Sequence, residues 1–564
     1  VATQKWCTGR VGMFGISWGG FSSLQVAARR PPALKAIITH CSTDDRYLDD
    51  AHYIGGCIVQ DMWGWGSDFF TIQGAPPDPA TLGVRWRDVW MDRLKHNEFR
   101  ILDWVRHQTR DAFWKHGSID EDYGDIVCPV YAIGGWTDAY NCAVPRMLAG
   151  LKVPRKGLIG AWSHNYPSEV HPGPGIDYLT EALRWWDHWL KDHDTGIMAE
   201  PMYRVWMEDK AACCGADEIP GRWVAEEAWP SSRITPQKHY LVGTEIAAAP
   251  GAETQRVLAP RQTVGMAAGH WCPFNMPTEL PLDQAIDDGR SLTFDSGPLA
   301  ADLELLGPPV ATLDLAVDRP VAFLALRLNE VQPDGHSTRV SYAVLNLTHR
   351  ASHEHPEALE PGKRYRIRVQ MRDVAHSFKA GNRLRLAIST TYWPLIWPSP
   401  EPVRLTLFAG HSELELPVRP PRPEDASLRP LGTPYVPPDS GQTQIGEAKP
   451  QSKDFSWDVA TGTLTIVSER PLSARRINAV DTILSGAFKE TSRITDDDPL
   501  SATLEYRQSH GYARDDDWDT RVETVVRIGA TKETFLVRGE LTAFDHGKQV
   551  FTRSWNEAIP RQFV

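Results

Sequence analysis

The stretch RVGMFGISWGGFSSLQVAARR, Arg10 to Arg30, decides the fold. Apolar Val11, Met13, Phe14 and Ile16 lead into Gly15-Ile16-Ser17-Trp18-Gly19, and a helical pattern follows from Gly19 to Arg29. The order predicts strand, sharp turn, helix, with a serine at the apex, the layout of a nucleophile elbow. Three fixed positions of this kind recur by chance about 0.2 times in a chain of this length, so the flanking pattern carries the reading. A strained turn leaves no room for side chains two residues before and two after the serine, and Gly15 and Gly19 meet that need. The Trp18 N–H would open the helix and point at a developing oxyanion.

At 564 residues the chain is too long for one core and predicts several domains. Hydrophobic residues make up 41% and charged residues 23%, with mean hydropathy -0.37, the range of a soluble globular protein. No apolar run reaches the roughly 18 to 20 residues of a membrane helix, and no membrane partner is expected. A net charge of -12 without a basic stripe argues against nucleic acid. The eight cysteines are scattered, with no CxxC pair, and read as buried thiols of a reducing compartment or as incidental ones. The cytoplasm is the expected location. Most of the 22 tryptophans are expected in the core.

Outward from the elbow, apolar runs and helical periods alternate to about residue 200, the mark of an α/β sheet. Strands are predicted at residues 10–16, 34–39, 129–133 and 156–160, and helices at 19–29, 142–151 and 178–191. Residues 46–125 intervene between the second and third strands, too long for a structureless loop, and are read as a helical cap. Trp63 and Trp65 of this insertion, with Trp136, are candidates to line a substrate mouth. Residues 201–420 alternate at period two between Pro and Gly, as in "VATLDLAVDRPVAFLALRL" and "RLRLAIST", the pattern of a jelly-roll β-sandwich. Residues 421–440 read as a stiff Pro-rich linker, and 441–564 as a further β-rich extension.

A nucleophilic serine needs a base, and the base an orienting carboxylate, in the order Ser, acid, His. After "PVYAIGG" comes Trp136-Thr137-Asp138, and after "KGLIGAWS" comes His164. Both lie just past strand ends, where ligands collect in open α/β sheets. Asp44 and Asp45 are rival acids, and His40 and His171 rival bases. His40 precedes the acid and breaks the order, whereas His171 lies well into a loop. His349, His353 and His355 cluster in "THRASHEHPE", but the spacing fits no common zinc pattern and the segment reads as an exposed loop. No metal and no cofactor are expected.

Taken together, "WCTGRVGMFGISWGG", "GGWTDAY", "GAWSHN", "LTFDSGPLAADLELLGPPVATLDLAVDRP" and "AHSFKAGNRLRLAIS" resemble the X-Pro dipeptidyl-peptidase and cocaine-esterase-like family of serine hydrolases. The resemblance spans roughly residues 1–420. It implies an α/β-hydrolase with a helical cap and a C-terminal jelly roll, with Ser17 as nucleophile, Asp138 as acid, His164 as base and Trp18 as one oxyanion donor. It implies acyl transfer to water from a small-molecule or peptide substrate: an X-Pro peptide, an ester or a side-chain amide. A dipeptidyl-peptidase would offer a cap carboxylate, Asp61 or Asp68, to a substrate ammonium. Family members carry several strands, and a tyrosine oxyanion donor, before the elbow. This chain is therefore expected to be a fragment whose α/β-hydrolase is incomplete at its N-terminus. Two alternatives stay open: a β-rich binding or scaffold protein with a relic hydrolase half, and assembly into a homo-oligomer.

Overall fold

The computed structural model describes residues 1–564 other than 260, 436, 438, 439 and 516. β1 (Val11–Ile16) runs parallel to β2 (Leu34–His40), joined by α1 (Trp18–Ala28). A parallel pair needs such a crossover. The sheet continues in parallel through Val130–Gly135, Arg155–Gly160 and Tyr203–Glu208, and closes with antiparallel Gly221–Glu226. The last two strands lie beyond residue 200. Because side chains alternate across a strand, Ile37 packs with Val130, Val144 and Leu148 on one face. Its neighbour Ile38 packs with Leu158, Tyr178 and Trp185 on the other. Among the described residues β1 pairs with β2 alone, and its Phe14 is largely exposed.

Residues 46–125 form a short hairpin followed by helices, the longest being α2 (Gln60–Gln73), Trp86–Lys95 and Ile101–Arg106. A sandwich of antiparallel strands follows. One layer pairs Leu292–Asp295, Arg383–Ser389, Phe323–Val331 and Ser337–Asn346. The other centres on Val310–Val317, flanked by Tyr365–Gln370, Leu405–Ala409 and Glu413–Val418. Leu326, Leu328 and Leu386 from the first meet Leu313, Leu315 and Leu407 from the second in one core. The fold is thus a mixed α/β sheet followed by an all-antiparallel β domain.

The segment after Val418 is held against the first domain. Arg419 is fully buried and donates to Glu226 and Asp425, while Arg429 reaches Glu181 and Glu200. Of the linker predicted at 421–440, residues 436, 438 and 439 lie outside the described residues. From Ser452 to Pro560 the chain is an antiparallel meander with strands of up to 17 residues. Its inner face does not stand free: Tyr506, Val522, Phe535 and Leu541 share one core with Trp63, Phe70, Trp86 and Trp90 of the cap. Among the described residues, no helix is long and apolar enough to cross a membrane.

Candidate active site

Ser17 stands between the end of β1 and the first residue of α1 with φ 57° and ψ -124°, a left-handed backbone that non-glycine residues adopt only under constraint. Its N–H is tied to the His40 carbonyl at 3.0 Å, and its carbonyl accepts from Phe21 N at 2.9 Å. The hydroxyl makes no capping bond to the helix and is left for other use. A Cβ on Gly15 would lie 2.6 Å from the Gly19 backbone, so the turn closes only around a glycine there. At Gly19 a Cβ would meet nothing within 4 Å, which corrects the expectation that crowding requires glycine at both positions. α1 begins at Trp18, so the Trp18 N–H has no acceptor within the helix.

Asp138 follows the strand Val130–Gly135, and His164 follows Arg155–Gly160. The two strand ends are locked together. Trp136 N donates to the Gly160 carbonyl at 2.8 Å, Thr137 Oγ1 donates to the Ala161 carbonyl, and a Cβ on Gly135 would lie 1.8 Å from the Trp162 carbonyl. The result is a hydrogen bond of 2.8 Å between His164 Nδ1 and Asp138 Oδ1, with Asp138 only 2% exposed. A buried carboxylate so placed holds the ring and favours the tautomer with its proton on Nδ1.

The rival residues are engaged elsewhere. Asp44 takes a fork from Arg146 (2.6 Å at the shortest) and a bond from the Tyr123 hydroxyl. Asp45 accepts from Tyr47 N at 2.8 Å and Arg110 Nε at 3.0 Å. His40 is buried against the Tyr178 hydroxyl (2.8 Å), and burial pushes its pKa down to about 3, which keeps it neutral. His171 sits 3.9 Å from exposed Asp217. His349 and His353 do approach, Nδ1 to Nδ1 at 3.2 Å, but His349 is buried against Tyr47 rather than exposed as the sequence suggested, and His355 points to solvent.

Ser17, Trp18 and His164 share a cavity of about 470 Å³. Its walls are largely aromatic: Phe21, Trp65, Phe69, Trp104, Tyr140, Trp271 and Phe274. α2 lies over the mouth, where Trp65 and Phe69 pack on the half-exposed Trp18 ring at 5.5 and 6.0 Å between centroids. Trp63 does not line the cavity. Two residues along a helix turn a side chain by about 200°, and Trp63, 0% exposed, instead packs on Trp397 and Phe535. Trp136 is also away from it, its indole N–H donating to the Trp206 carbonyl at 2.7 Å. Asp61 lines the cavity with one carboxylate oxygen, Oδ2, buried and unpartnered among the described residues. Burial, reinforced by Glu490, pushes its pKa well up. Asp68 faces the C-terminal meander, where burial pushes it up to about 6 against the pull of Arg470 and Gln508.

Sequence reasoning missed the loop that carries Trp271, Cys272 and Phe274. Asn275 N donates to Ser163 Oγ at 2.8 Å, and this pins Phe274 edge-on to the His164 ring at 5.3 Å. The run "WCPFN" has no period to mark it; an aromatic pair around a proline was the only signal.

Comparison with known proteins follows the same division. Residues 1–166 match the profile described as X-Pro dipeptidyl-peptidase (S15 family), and residues 195–424 that of the X-Pro dipeptidyl-peptidase C-terminal non-catalytic domain. Over 442 residues the chain is 23% identical to a cocaine esterase of Rhodococcus sp. strain MB1 Bresler, covering 70% of this chain and 75% of the esterase. Among solved structures, an aminopeptidase from a marine sediment Thaumarchaeota archaeon superposes with TM-score 0.59 at 18% identity, covering 73% of this chain and 77% of its own. An α-amino acid ester hydrolase superposes with TM-score 0.56 at 19% identity, with the same coverage. At these identities the two structures share the fold with this chain.

Proposed function

Because the chain belongs to the S15 X-Pro dipeptidyl-peptidase and CocE/NonD family of hydrolases, we propose that it hydrolyses an ester, amide or peptide bond through an acyl-enzyme on Ser17. One observation carries this: Ser17 and His164 wall the same cavity, and His164 Nδ1 lies 2.8 Å from buried Asp138. In this reading the Ser17 hydroxyl attacks the substrate carbonyl as His164 Nε2 takes its proton. Asp138 holds the imidazolium that forms, and the Trp18 N–H at the start of α1 meets the oxyanion. His164 then protonates the leaving amine or alcohol, and water attacks the acyl ester by the same route in reverse.

The cavity also supports a substrate class. Aromatic walls suit an apolar acyl group, and Asp61 is the single carboxylate among the lining residues. A protonated amine placed against Asp61 would supply the positive charge that lets this buried acid ionise. The preferred substrate is therefore an acyl group bearing a free amine, as in an α-aminoacyl ester or an X-Pro peptide. The test is a panel of X-Pro anilides and aminoacyl esters against acyl esters without an amine, assayed with wild type and Asp61→Asn. Loss of one charge-assisted hydrogen bond should raise KM for the amine-bearing substrates by roughly ten- to a hundredfold and leave the others little changed. An equal loss on both sets would make Asp61 a structural residue.

A further inference from the structure

One thiol beneath the Asp138–His164 pair has no part in the chemistry above. β2 ends at His40, and Cys41 follows with φ 44° and its N–H bound to the Ile133 carbonyl at 2.9 Å. This turn puts the side chain, 2% exposed, under the two loops that carry Asp138 and His164. Cys41 Sγ, a carboxylate oxygen of Asp138 and a ring nitrogen of His164 all lie within 4.8 Å of one another. Nδ1 is the ring nitrogen bound to Asp138, at 2.8 Å. A second observation concerns the acid itself: Asp138 Oδ2 is buried with no partner in good hydrogen-bond geometry among the described residues, and the Cys41 thiol is the group close enough to interact with this carboxylate. Burial, with the Asp138 charge next, pushes the Cys41 thiol well above its ordinary range, so the resting group is a thiol beside a carboxylate.

Thiolate sulfur, imidazole nitrogen and carboxylate oxygen form a donor set that suits zinc, whereas magnesium and calcium prefer oxygen alone. Ligands on a tetrahedral zinc stand about 3.5 Å apart, given bonds of about 2.0 to 2.3 Å, so an ion would take the place of the 2.8 Å His164–Asp138 hydrogen bond, opening that pair while small shifts bring in the Cys41 sulfur. We propose that Cys41, Asp138 and His164 form a binding site for a thiophilic divalent cation of the zinc class, and that its occupation switches hydrolysis off. Binding would release one proton, from the Cys41 thiol, while the single ring proton of His164 moves from Nδ1 to Nε2, and leave sulfur, nitrogen and oxygen on the metal. The switch takes Nδ1 as the ligand: with the metal there, the neutral imidazole carries its proton on Nε2. The nitrogen that should accept the Ser17 proton is then a donor. The off-switch rests on the role proposed for His164; the site itself does not.

The test uses the full chain with Cys7, Cys213 and Cys214, the three thiols that are not buried, replaced by serine. Cobalt(II) is the probe, because a thiolate ligand gives a charge-transfer band and tetrahedral geometry gives intense d–d bands. One cobalt should bind per chain with both signatures. The charge-transfer band should vanish in Cys41→Ser, and the d–d bands should weaken or shift in His164→Gln, with far-UV circular dichroism checking that both variants fold. In turnover assays, the zinc concentration for half-inhibition should rise at least about tenfold in Cys41→Ser, the lower bound for losing even an outer partner of a metal ligand. Absence of the band, or its survival in Cys41→Ser, overturns the site whatever the activity. A band lost in Cys41→Ser together with turnover that zinc does not affect overturns the switch and counts against His164 as the base.

Discussion

Asp138 and Asp45 are both buried aspartates near strand ends, yet their surroundings separate them. Asp45 is satisfied by backbone N–H groups and Arg110, while Asp138 spends one oxygen on His164 and leaves the other, among the described residues, without a partner in good hydrogen-bond geometry. Asp138→Asn should therefore lower kcat by several orders of magnitude, on the order of 10⁴ as in the serine-protease case, by disturbing the histidine tautomer. Asp45→Asn should cost stability first; equal kcat losses in steady-state assays would move the acid. His40 supplies a pH test. Its folded pKa lies near 3, below the ordinary value of 6.5, because burial disfavours the charged ring. The stability it confers is complete above about 6.5 and is lost as pH falls from there toward 3, at roughly 1.4 kcal/mol per pH unit. Urea melts of wild type and His40→Gln between pH 7.5 and 5 should show the shallower slope in the variant; parallel slopes would mean that His40 titrates normally. Ser17, Asp138 and His164 were legible because strand-end positions can be read from apolar runs. Cys41 and Asp61 were not set apart so clearly, since nothing local tells a buried thiol or carboxylate which cavity it will face.

At the scale of elements, α2 is a helix with two apolar faces. One carries Trp65 and Phe69 over Ser17, and the other carries Trp63 and Phe70 into the core shared with the C-terminal meander. The length of the 46–125 insertion predicted a helical cap but neither this helix nor its second partner, because a helix that is apolar on opposite sides does not say which side meets ligand. That ambiguity is why Trp63 and Trp65 read alike in sequence. They should separate in experiment. Trp63→Ala removes a fully buried ring and should cost about 3 to 5 kcal/mol of stability, read as a lower melting temperature. Trp65→Ala should leave melting nearly unchanged and alter KM across a substrate panel. The reverse assignment of effects would place the wrong face of α2 toward the cavity.

At the scale of the whole molecule, the cavity is assembled from distant parts of the chain. The elbow supplies Ser17 and Trp18, the cap Asp61, Trp65 and Phe69, the strand-end loops Tyr140 and His164, and the segment leading into the sandwich Trp271 and Phe274. The meander backs the cap from behind: Gln60 donates to Glu490 at 2.6 Å, and the hydroxyls of Thr71 and Thr524 meet at 2.6 Å. The order of the α/β sheet, the cap and the sandwich was readable from periodicity, because each element signals itself locally. How the meander and the cap share a core was not, since those contacts join residues more than 400 positions apart.

If this assembly turns Ser17 into a nucleophile, the serine should be open to covalent labelling. Intact-mass and peptide analysis after treatment of the full chain with a fluorophosphonate should show one adduct per chain, on Ser17. The adduct should be absent in Ser17→Ala and form far more slowly in His164→Ala, because the hydroxyl reacts only when a base takes its proton. An adduct on another residue, or labelling of Ser17 at the same rate without His164, would contradict the account.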